Sequence, residues 1–533
     1  MASQFSPLTS TGPAPTAKEV FLSYRRSFLQ QLSDGVRRPQ VFPYHYFSIF
    51  LGIAYLCIPH KQNPVIYAAR WPLVGLITWF EFCAILETSG TGPSMGFSIG
   101  QQSVLIIMSS WTWLIFRRPQ WDAKRVERRR VRVIKDEKRA LLIEESNMNG
   151  ELGSEKSASD AILLSREGCY EEINEYFWQS YPENLKERIS WVADLLLNCR
   201  GPGWDWSVPI VRTLTPDTLS KLDSSSLEGS YSCGSLTSEK SFKSRFCRIF
   251  WDFLPFISGY LLLDVTWTLM MQDPYFKFGP NTYDLPSYLQ NVHPQILYIY
   301  HLTLTGTILM TSMRTFTAVI NTFMIYVLGT RVLGLRGEPW YYNQFWGSFS
   351  KVFERGLGGL WGNFWHQTFR HFFTSPMKYL IQEGYVKPGS FTAKLIGLSL
   401  AFTLSGFLHW AAMFTAIGDT LPLYELIFFI LQGVGIVLQD SVCKLFSPII
   451  IKLPSSIRQM GNLFYTLAWF YLTGWIEADN MARSGINLVP LVPFSPMTAL
   501  GFGEHDANWK SWESVTSMWF SGKNWWESGY FAC

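Results

Sequence analysis

The chain has 533 residues, of which 48% are hydrophobic, 16% aromatic and only 16% charged, with a formal net charge of +4. Soluble domains carry roughly 25% charged residues, so this composition favours one membrane bundle over several soluble domains. The small net charge argues against binding to nucleic acid. The eight cysteines are scattered without a CxxC pair, which argues against a zinc site or a disulfide framework.

Long apolar runs predict helices that cross a membrane, because a bilayer core takes roughly 20 mostly apolar helical residues to cross. Trp and Tyr residues crowd the edges of these runs, as expected for side chains at the headgroup level. The sequence therefore predicts an all-α multi-pass membrane protein with about eight to nine transmembrane helices. The candidate runs are 42–59, 71–88, 98–116, 249–271, 294–311, 316–334, 393–416, 422–442 and 460–476.

A long polar insert separates the third and fourth runs. It opens at 117–139 with eleven Lys and Arg residues against four acidic residues, a composition typical of cytoplasmic flanks. The amino terminus is also basic, and three crossings separate it from this segment. Either one early run does not span the membrane, or the more strongly charged insert is cytoplasmic and the amino terminus lumenal; we expect the second. A Ser-rich stretch after the insert is typical of a disordered linker. The predicted segments are a tail (1–41), N-terminal spans (42–116), the basic insert (117–215), the linker (216–245), a membrane core (246–500) and a C-terminal tail (501–533).

His409 lies deep in an apolar run, LSLAFTLSGFLHWAAMF (398–414), that contains no charged residue. An ionisable side chain in hydrocarbon costs free energy unless it finds a partner or a wet cavity, so a functional role is the default hypothesis. The alternative is a histidine that hydrogen-bonds a neighbouring helix for packing. Ser405 and Gly406, one turn earlier, would allow a ligand or another helix to approach closely.

A second unusual segment, GLGGLWGNFWHQTFRHFFTSP (356–376), is rich in glycine and aromatic residues. Arg370 and His371 exclude a simple transmembrane helix, whereas the aromatic side chains need cover from water. A half-buried amphipathic helix that lines a cavity satisfies both conditions, and on such a helix Asn363, His366 and Arg370 share one face. The alternative is an interfacial helix docked on lipid headgroups.

Together these segments resemble the membrane-bound O-acyltransferases, and within them the wax synthase-like branch to which fungal natural-product acetyltransferases belong. The resemblance rests on a W-G-x-x-W-H-Q-like segment followed by an intramembrane S-G-x-x-H, and it covers roughly residues 190–500. The matching segments are NCRGPGWDW (198–206), EPWYYNQFWGSFSKVFERGLGGLWGNFWHQTFR (338–370), LSGFLHW (404–410), FFILQGVGIVLQDSV (428–442) and NLVPLVPFSP (487–496).

The resemblance implies a bundle around a buried reaction chamber, in the endoplasmic reticulum membrane. There acyl-CoA, expected to be acetyl-CoA, would transfer its acyl group to a lipophilic alcohol, with no bound cofactor and no metal. The acceptor would be a hydroxyl of a terpenoid, meroterpenoid or polyketide, or alternatively a long-chain alcohol that gives a wax ester. By position, His409 would be the catalytic base and His366 its partner. The residues expected to contact substrates are Asn363, Trp365, Gln367, Arg370 and Ser405.

One departure from the family pattern concerns the donor. Many relatives place a charged run just before the aromatic segment, whereas this chain reads GLGGLWGNF after Arg355, so this segment offers few contacts to the phosphates of CoA. A function of another class is proton-coupled transport through His409 and Asp440. Transporters often contain internal repeats, and the two halves of this chain show none. A non-catalytic scaffold would leave both histidines unexplained.

Overall fold

The structure is a computed structural model that describes residues 12–134, 170–211, 245–342, 345–508, 510 and 517–532. The predicted linker lies outside these ranges except for Arg245, and so do residues 135–169 of the predicted insert.

The described residues are mainly helical, which confirms the prediction of an all-α multi-pass membrane protein. The helices are α1 (Ala17–Ser33), α2 (Phe47–Cys57), α3 (Pro64–Ala68), α4 (Arg70–Glu87), α5 (Pro93–Trp111), α6 (Pro119–Asp122), α7 (Leu185–Leu197), α8 (Arg245–Gln272), α9 (Tyr275–Phe278), α10 (Pro294–Thr322), α11 (Gly329–Leu333), α12 (Ser350–Gly359), α13 (Arg370–Gln382), α14 (Phe391–Thr415), α15 (Pro422–Leu445), α16 (Ser447–Ile450), α17 (Ser455–Arg483) and α18 (Pro496–Ala499).

Within the described ranges, six helical segments are long and apolar enough to cross a membrane. They are Pro64–Glu87, Pro93–Phe116, Phe253–Gln272, Pro294–Gly337, Phe391–Thr415 and Pro422–Leu445, and Tyr44–Cys57 is a shorter apolar helix. The number of eight to nine spans stays a prediction.

Two of the predicted spans, 294–311 and 316–334, form one helical run in the structure. Helix α10 continues through a π-helical turn at Phe323–Leu328 into α11. The residues between the two predicted spans, 312–315, include Arg314 but no glycine or proline, so nothing there ends a helix. Large apolar side chains on this run are exposed, Ile296 by 61% for example, as expected for a surface that faces lipid.

Three two-stranded sheets accompany the helices among the described residues. They are β1 (Arg38–Pro39) with β2 (Thr88–Ser89) in parallel, β3 (Arg125–Ile134) with β4 (Tyr170–Gln179) antiparallel, and β5 (Ser517–Phe520) with β6 (Gly529–Ala532) antiparallel. Strand β3 contains much of the basic segment of the predicted insert. Its first residue, Arg125, is 3% exposed and lies 3.1 Å from Asp194 of α7 and 3.4 Å from Glu127.

Arg336 binds the same two carboxylates, at 2.6 Å from Glu127 and 3.1 Å from Asp194. Two guanidinium groups and two carboxylates therefore balance one another, as buried charges require. This network ties the β3–β4 hairpin to α7 and to the turn that follows α11.

Helix α14 is the centre of the membrane bundle, where it packs against α5, α13 and α15. At its contact with α5, a Cβ atom on Gly100 would lie 2.1 Å from the carbonyl oxygen of Ala411, so only glycine fits. The N–H of Gly100 donates to the Thr415 hydroxyl at 3.1 Å, and that hydroxyl donates to the Gly96 carbonyl at 2.6 Å. Small residues and interhelical hydrogen bonds of this kind hold helices together in lipid.

Helix α17 closes the bundle on the other side, where it packs against α12 and α15. Helices α12 to α15 and α17 together enclose a space, and the segments that carry the predicted site residues lie on its walls.

Candidate active site

A cavity of about 1240 Å³ lies between α12, α13, α14, α15 and α17. It is larger than the roughly 300–1,000 Å³ typical of small-molecule sites. Aromatic side chains surround the part that contains the two histidines. The charged residues of its walls are five cations and two carboxylates, namely Arg355, Arg370, Lys378, Lys394 and Arg458, with Glu354 and Asp440.

The structure brings every predicted site residue to the walls of this one cavity. They are His366, His409, Asn363, Trp365, Gln367, Arg370 and Ser405. The two histidines come from different elements, since His409 lies on α14 and His366 lies in the connection between α12 and α13. Residues that act on one substrate must meet in this way, and their individual roles stay predictions.

The connection around His366 is not the continuous amphipathic helix that the sequence predicts. Helix α12 kinks at Gly356, whose φ is 57°, and a π-helical turn covers Leu360–Phe364. The helix is then broken until α13 begins at Arg370. Four glycines lie in this short segment, and each costs roughly 1 kcal/mol relative to alanine inside a helix. Asn363, His366 and Arg370 therefore do not share a helix face, although all three line the cavity.

Two polar side chains satisfy the backbone of this broken helix. The Nε2 of Gln367 donates to the carbonyl oxygens of Trp361 at 3.2 Å and Trp365 at 2.7 Å. Arg370 donates to the carbonyl of Gly362 and, at 2.6 Å, to the Oε1 of Gln367. Irregular backbone at membrane depth occurs only where it is buried in protein or lines a cavity. Both residues therefore hold the wall in shape, and their predicted contact with substrate stays a prediction.

His366 is enclosed by aromatic rings. Its imidazole stacks on Phe345 with 5.4 Å between ring centroids, and Phe369 meets it edge-on at 6.0 Å. Burial, with smaller contributions from the charges of His409 and Arg200, lowers the pKa of His366 to about 3. The imidazole is therefore neutral at physiological pH, with one nitrogen that donates and one that accepts. Its Nδ1 is buried and has no hydrogen-bond partner in the part of the chain that the structure describes.

His409 projects from α14 and stacks on Phe429 of α15, with 4.5 Å between ring centroids. Its Nδ1 is likewise buried without a hydrogen-bond partner among the described residues. One nitrogen of His409 and one oxygen each from Glu425 of α15 and Glu477 of α17 lie within 4.8 Å of one another. In the described ranges this is the single grouping of histidine and acidic side chains with the spacing of metal ligands.

Glu477 is not among the site residues predicted from the sequence, because the predicted span 460–476 ends one residue before it. Helix α17 instead continues to Arg483. The available signal was an acidic residue directly after an apolar run, within a helix that has no glycine or proline beyond Gly474 to end it.

Comparison with known proteins finds similarities in the central part of this site. Residues 342–431 match the membrane bound O-acyl transferase family. Acetyltransferase ple2 from Rhodocybe pseudopiperita is 36% identical over 126 residues, which are 23% of this chain and 33% of that protein. Acetyltransferase fsoF from Humicola fuscoatra is 28% identical over 159 residues, which are 26% of this chain and 36% of that protein.

The chain thus spans about a third of the length of these two relatives, and no solved structure matches it. The residues matched by the family run from the end of the turn before α12 into α15. These residues include both histidines and most of the walls between which they lie, so this part of the chain is similar to the membrane bound O-acyl transferase family.

Proposed function

We propose that the protein is an acyl-CoA-dependent O-acyltransferase that acetylates a hydroxyl of a lipophilic secondary metabolite, such as a terpenoid, meroterpenoid or polyketide. The observation that carries this proposal is a pair of half-buried histidines on one cavity whose walls also carry five cations. The two relatives, both called acetyltransferases, support acetyl-CoA as the donor. The family resemblance supports the endoplasmic reticulum membrane as the location.

In this reaction His409 acts as the general base. An alcohol is too weakly acidic to attack a thioester at neutral pH, and imidazole is a suitable base because its unperturbed pKa of about 6.5 lies near the working pH. The hydroxyl oxygen bonds to the thioester carbonyl carbon while its proton passes to His409. The C–S bond then breaks, and the proton passes from His409 to the thiolate of CoA. A base positioned in this way contributes about 10²–10⁴-fold.

His366 supplies the complementary hydrogen bond. Attack on the thioester places negative charge on the carbonyl oxygen, and a donor fixed in a dry site stabilises that charge strongly. A neutral imidazole with an unused nitrogen can donate to this oxygen, and the surrounding aromatic rings hold it in place. Loss of one such donor typically lowers kcat by about 10²–10³-fold.

The cations provide a place for the phosphates of the donor. On α14, Lys394 and His409 are separated by a helical distance of about 22 Å, at ~1.5 Å per residue. An extended pantetheine arm can lie along this wall, with its thioester at His409 and its phosphates near Lys378, Arg458 and Lys394, where a phosphate would compete with Asp440 for Lys394. The cations that the glycine-rich segment lacks thus come from α13, α14 and α17.

Two other functions have less support. A wax ester would require a long-chain alcohol in the same cavity, and an acceptor panel that contains such alcohols distinguishes it. Proton transport would need Asp440 as a free relay, but Asp440 is paired with Lys394.

Membranes that contain the protein, incubated with labelled acetyl-CoA and a panel of lipophilic alcohols, test the proposal. We expect a labelled ester with the wild type and a loss of about 10²-fold or more with His409→Ala. His505→Ala, which removes an exposed histidine outside the cavity, is the matched control and should retain activity. Equal activity of wild type and His409→Ala would refute the mechanism, and no transfer with any donor or acceptor would refute the function.

A further inference from the structure

Glu425 and Glu477 reach His409 from α15 and α17, and neither side chain lines the cavity that His409 faces. The carboxyl groups therefore lie behind the imidazole, on the side away from substrate. Glu425 is 0% exposed, and Glu477 is half-buried. Both carboxyl groups are thus close enough to the imidazole to act on its orientation.

The two carboxyl groups differ in their surroundings. Glu425 is fully buried, and its Oε1 accepts a hydrogen bond from Asn480 Nδ2 of α17 at 2.6 Å. Glu477 is only half-buried, and a negative charge costs less free energy where water still reaches the side chain. Glu477 is therefore the carboxylate that can act on His409 at the lower cost.

We infer that Glu477 is a positioning residue that orients the imidazole of His409 and stabilises the imidazolium formed when His409 takes the proton of the acceptor hydroxyl. This inference rests on the proposed function. The proton moves from the hydroxyl to His409 and then to the sulfur of CoA, so Glu477 neither gains nor loses a proton over a turnover. The carboxylate of a Ser-His-Asp triad has the same task. Such hydrogen bonds often shorten only in the reacting complex, which accords with the separation of up to 4.8 Å in this structure.

The test compares isosteric variants of the buried acids in the acetyl transfer assay. Glu477→Gln keeps the shape of the side chain but removes its charge, so kcat should fall by about 10²–10⁴-fold. The KM values for acetyl-CoA and for the alcohol should stay within about threefold, because Glu477 does not line the cavity. Glu425→Gln leaves the Glu477 carboxylate in place beside His409, so its kcat should fall by less than about tenfold.

Glu81→Gln is the matched control. Glu81 is a carboxyl group of α4 that is 1% exposed and does not line the cavity, and its replacement should leave kcat unchanged. Glu477→Asp retains the charge and should exceed Glu477→Gln in kcat by about tenfold or more. If Glu477→Gln does not fold, the comparison of Glu477→Asp with Glu477→Asn takes its place, with the same expected order.

Three outcomes would overturn the inference. The first is a kcat for Glu477→Gln within about threefold of wild type, and the second is an equal loss in Glu425→Gln and Glu477→Gln. The third is activity that a chelator removes and Zn²⁺ restores, since a cation would then occupy the three atoms. A wild type that transfers no acyl group refutes the proposed function itself, whereas an active wild type with an insensitive Glu477 refutes only the positioning role.

Discussion

Replacement of Lys378 by glutamine should weaken binding of the donor without slowing the chemistry. Lys378 lies on α13, on the wall of the cavity, and its side chain is exposed. Desolvation by the surrounding walls lowers the pKa of Lys378, and the charges of Arg117 and Arg370 lower it further. A phosphate bound at this position would relieve that repulsion. We therefore expect the ammonium group to contribute to binding of the anionic donor.

The size of the effect follows from the exposure of the side chain. A unit charge at about 4 Å from another gains about 1 kcal/mol in water and about 4 kcal/mol at an effective dielectric constant of about 20. An exposed lysine lies near the lower figure, which corresponds to a five- to tenfold rise in the KM for acetyl-CoA, since about 1.4 kcal/mol is tenfold. The kcat should change by less than about twofold, because Lys378 is remote from the reacting atoms.

The assay measures initial rates against acetyl-CoA concentration at low salt and again at about 1 M salt, where the Debye length falls to about 3 Å. The ratio of the KM for acetyl-CoA in Lys378→Gln to that in the wild type should shrink at high salt. Competitive inhibition by free CoA should weaken in the variant in parallel with binding of acetyl-CoA. Lys351→Gln is the matched control, because Lys351 pairs with Glu354 and does not line the cavity. An unchanged KM for Lys378→Gln at low salt, or an equal change in the control, would refute the placement of the phosphates.

Two further predictions concern stability. Burial lowers the pKa of His366 to about 3, so between about pH 3 and 6.5 the unfolded chain binds more protons than the folded chain. The free energy of unfolding must therefore fall as the pH drops through this window, by up to ~1.4 kcal/mol per pH unit. His366→Gln should reduce the acid sensitivity of the thermal midpoint in detergent, and an unchanged slope would contradict the buried neutral imidazole. Gly100→Ala should lower the midpoint by an amount equivalent to about 1–3 kcal/mol, because its Cβ would overlap the backbone of Ala411. The control is Gly52→Ala on α2, which has open space for a Cβ atom and should not lower the midpoint. Equal midpoints of the two variants would show that α5 and α14 are less closely packed than the structure indicates.

The sequence was sufficient for the fold class, and the residues that it singled out lie on one cavity, although their roles stay predictions. Apolar runs of bilayer length are a strong signal, and a histidine in hydrocarbon such as His409 stands out without any knowledge of the fold. Helix ends in the membrane were harder to predict. The run that contains Arg314 shows why: a single charged residue resembles the end of a span, yet it does not break the backbone hydrogen bonds of a helix.

The local structure around His366 could not be predicted from periodicity. The spacing of Asn363, His366 and Arg370 assumes a regular helix, and that assumption fails after the kink at Gly356. The contact between Glu477 and Glu425 was also invisible to the sequence, because it depends on how α17 packs against α15. Contacts between distant helices require the tertiary arrangement, and no local pattern encodes them.

The hydrogen bonds of Gln367 and Arg370 have a consequence for the design of variants of this protein. Both side chains occupy carbonyl groups that a regular helix would have satisfied, so their chemical identity is required by the shape of the chain at this point. Replacement of either residue would change the backbone of the wall as well as any contact with a substrate. Selectivity for the acceptor is therefore better probed at cavity residues of the other helices.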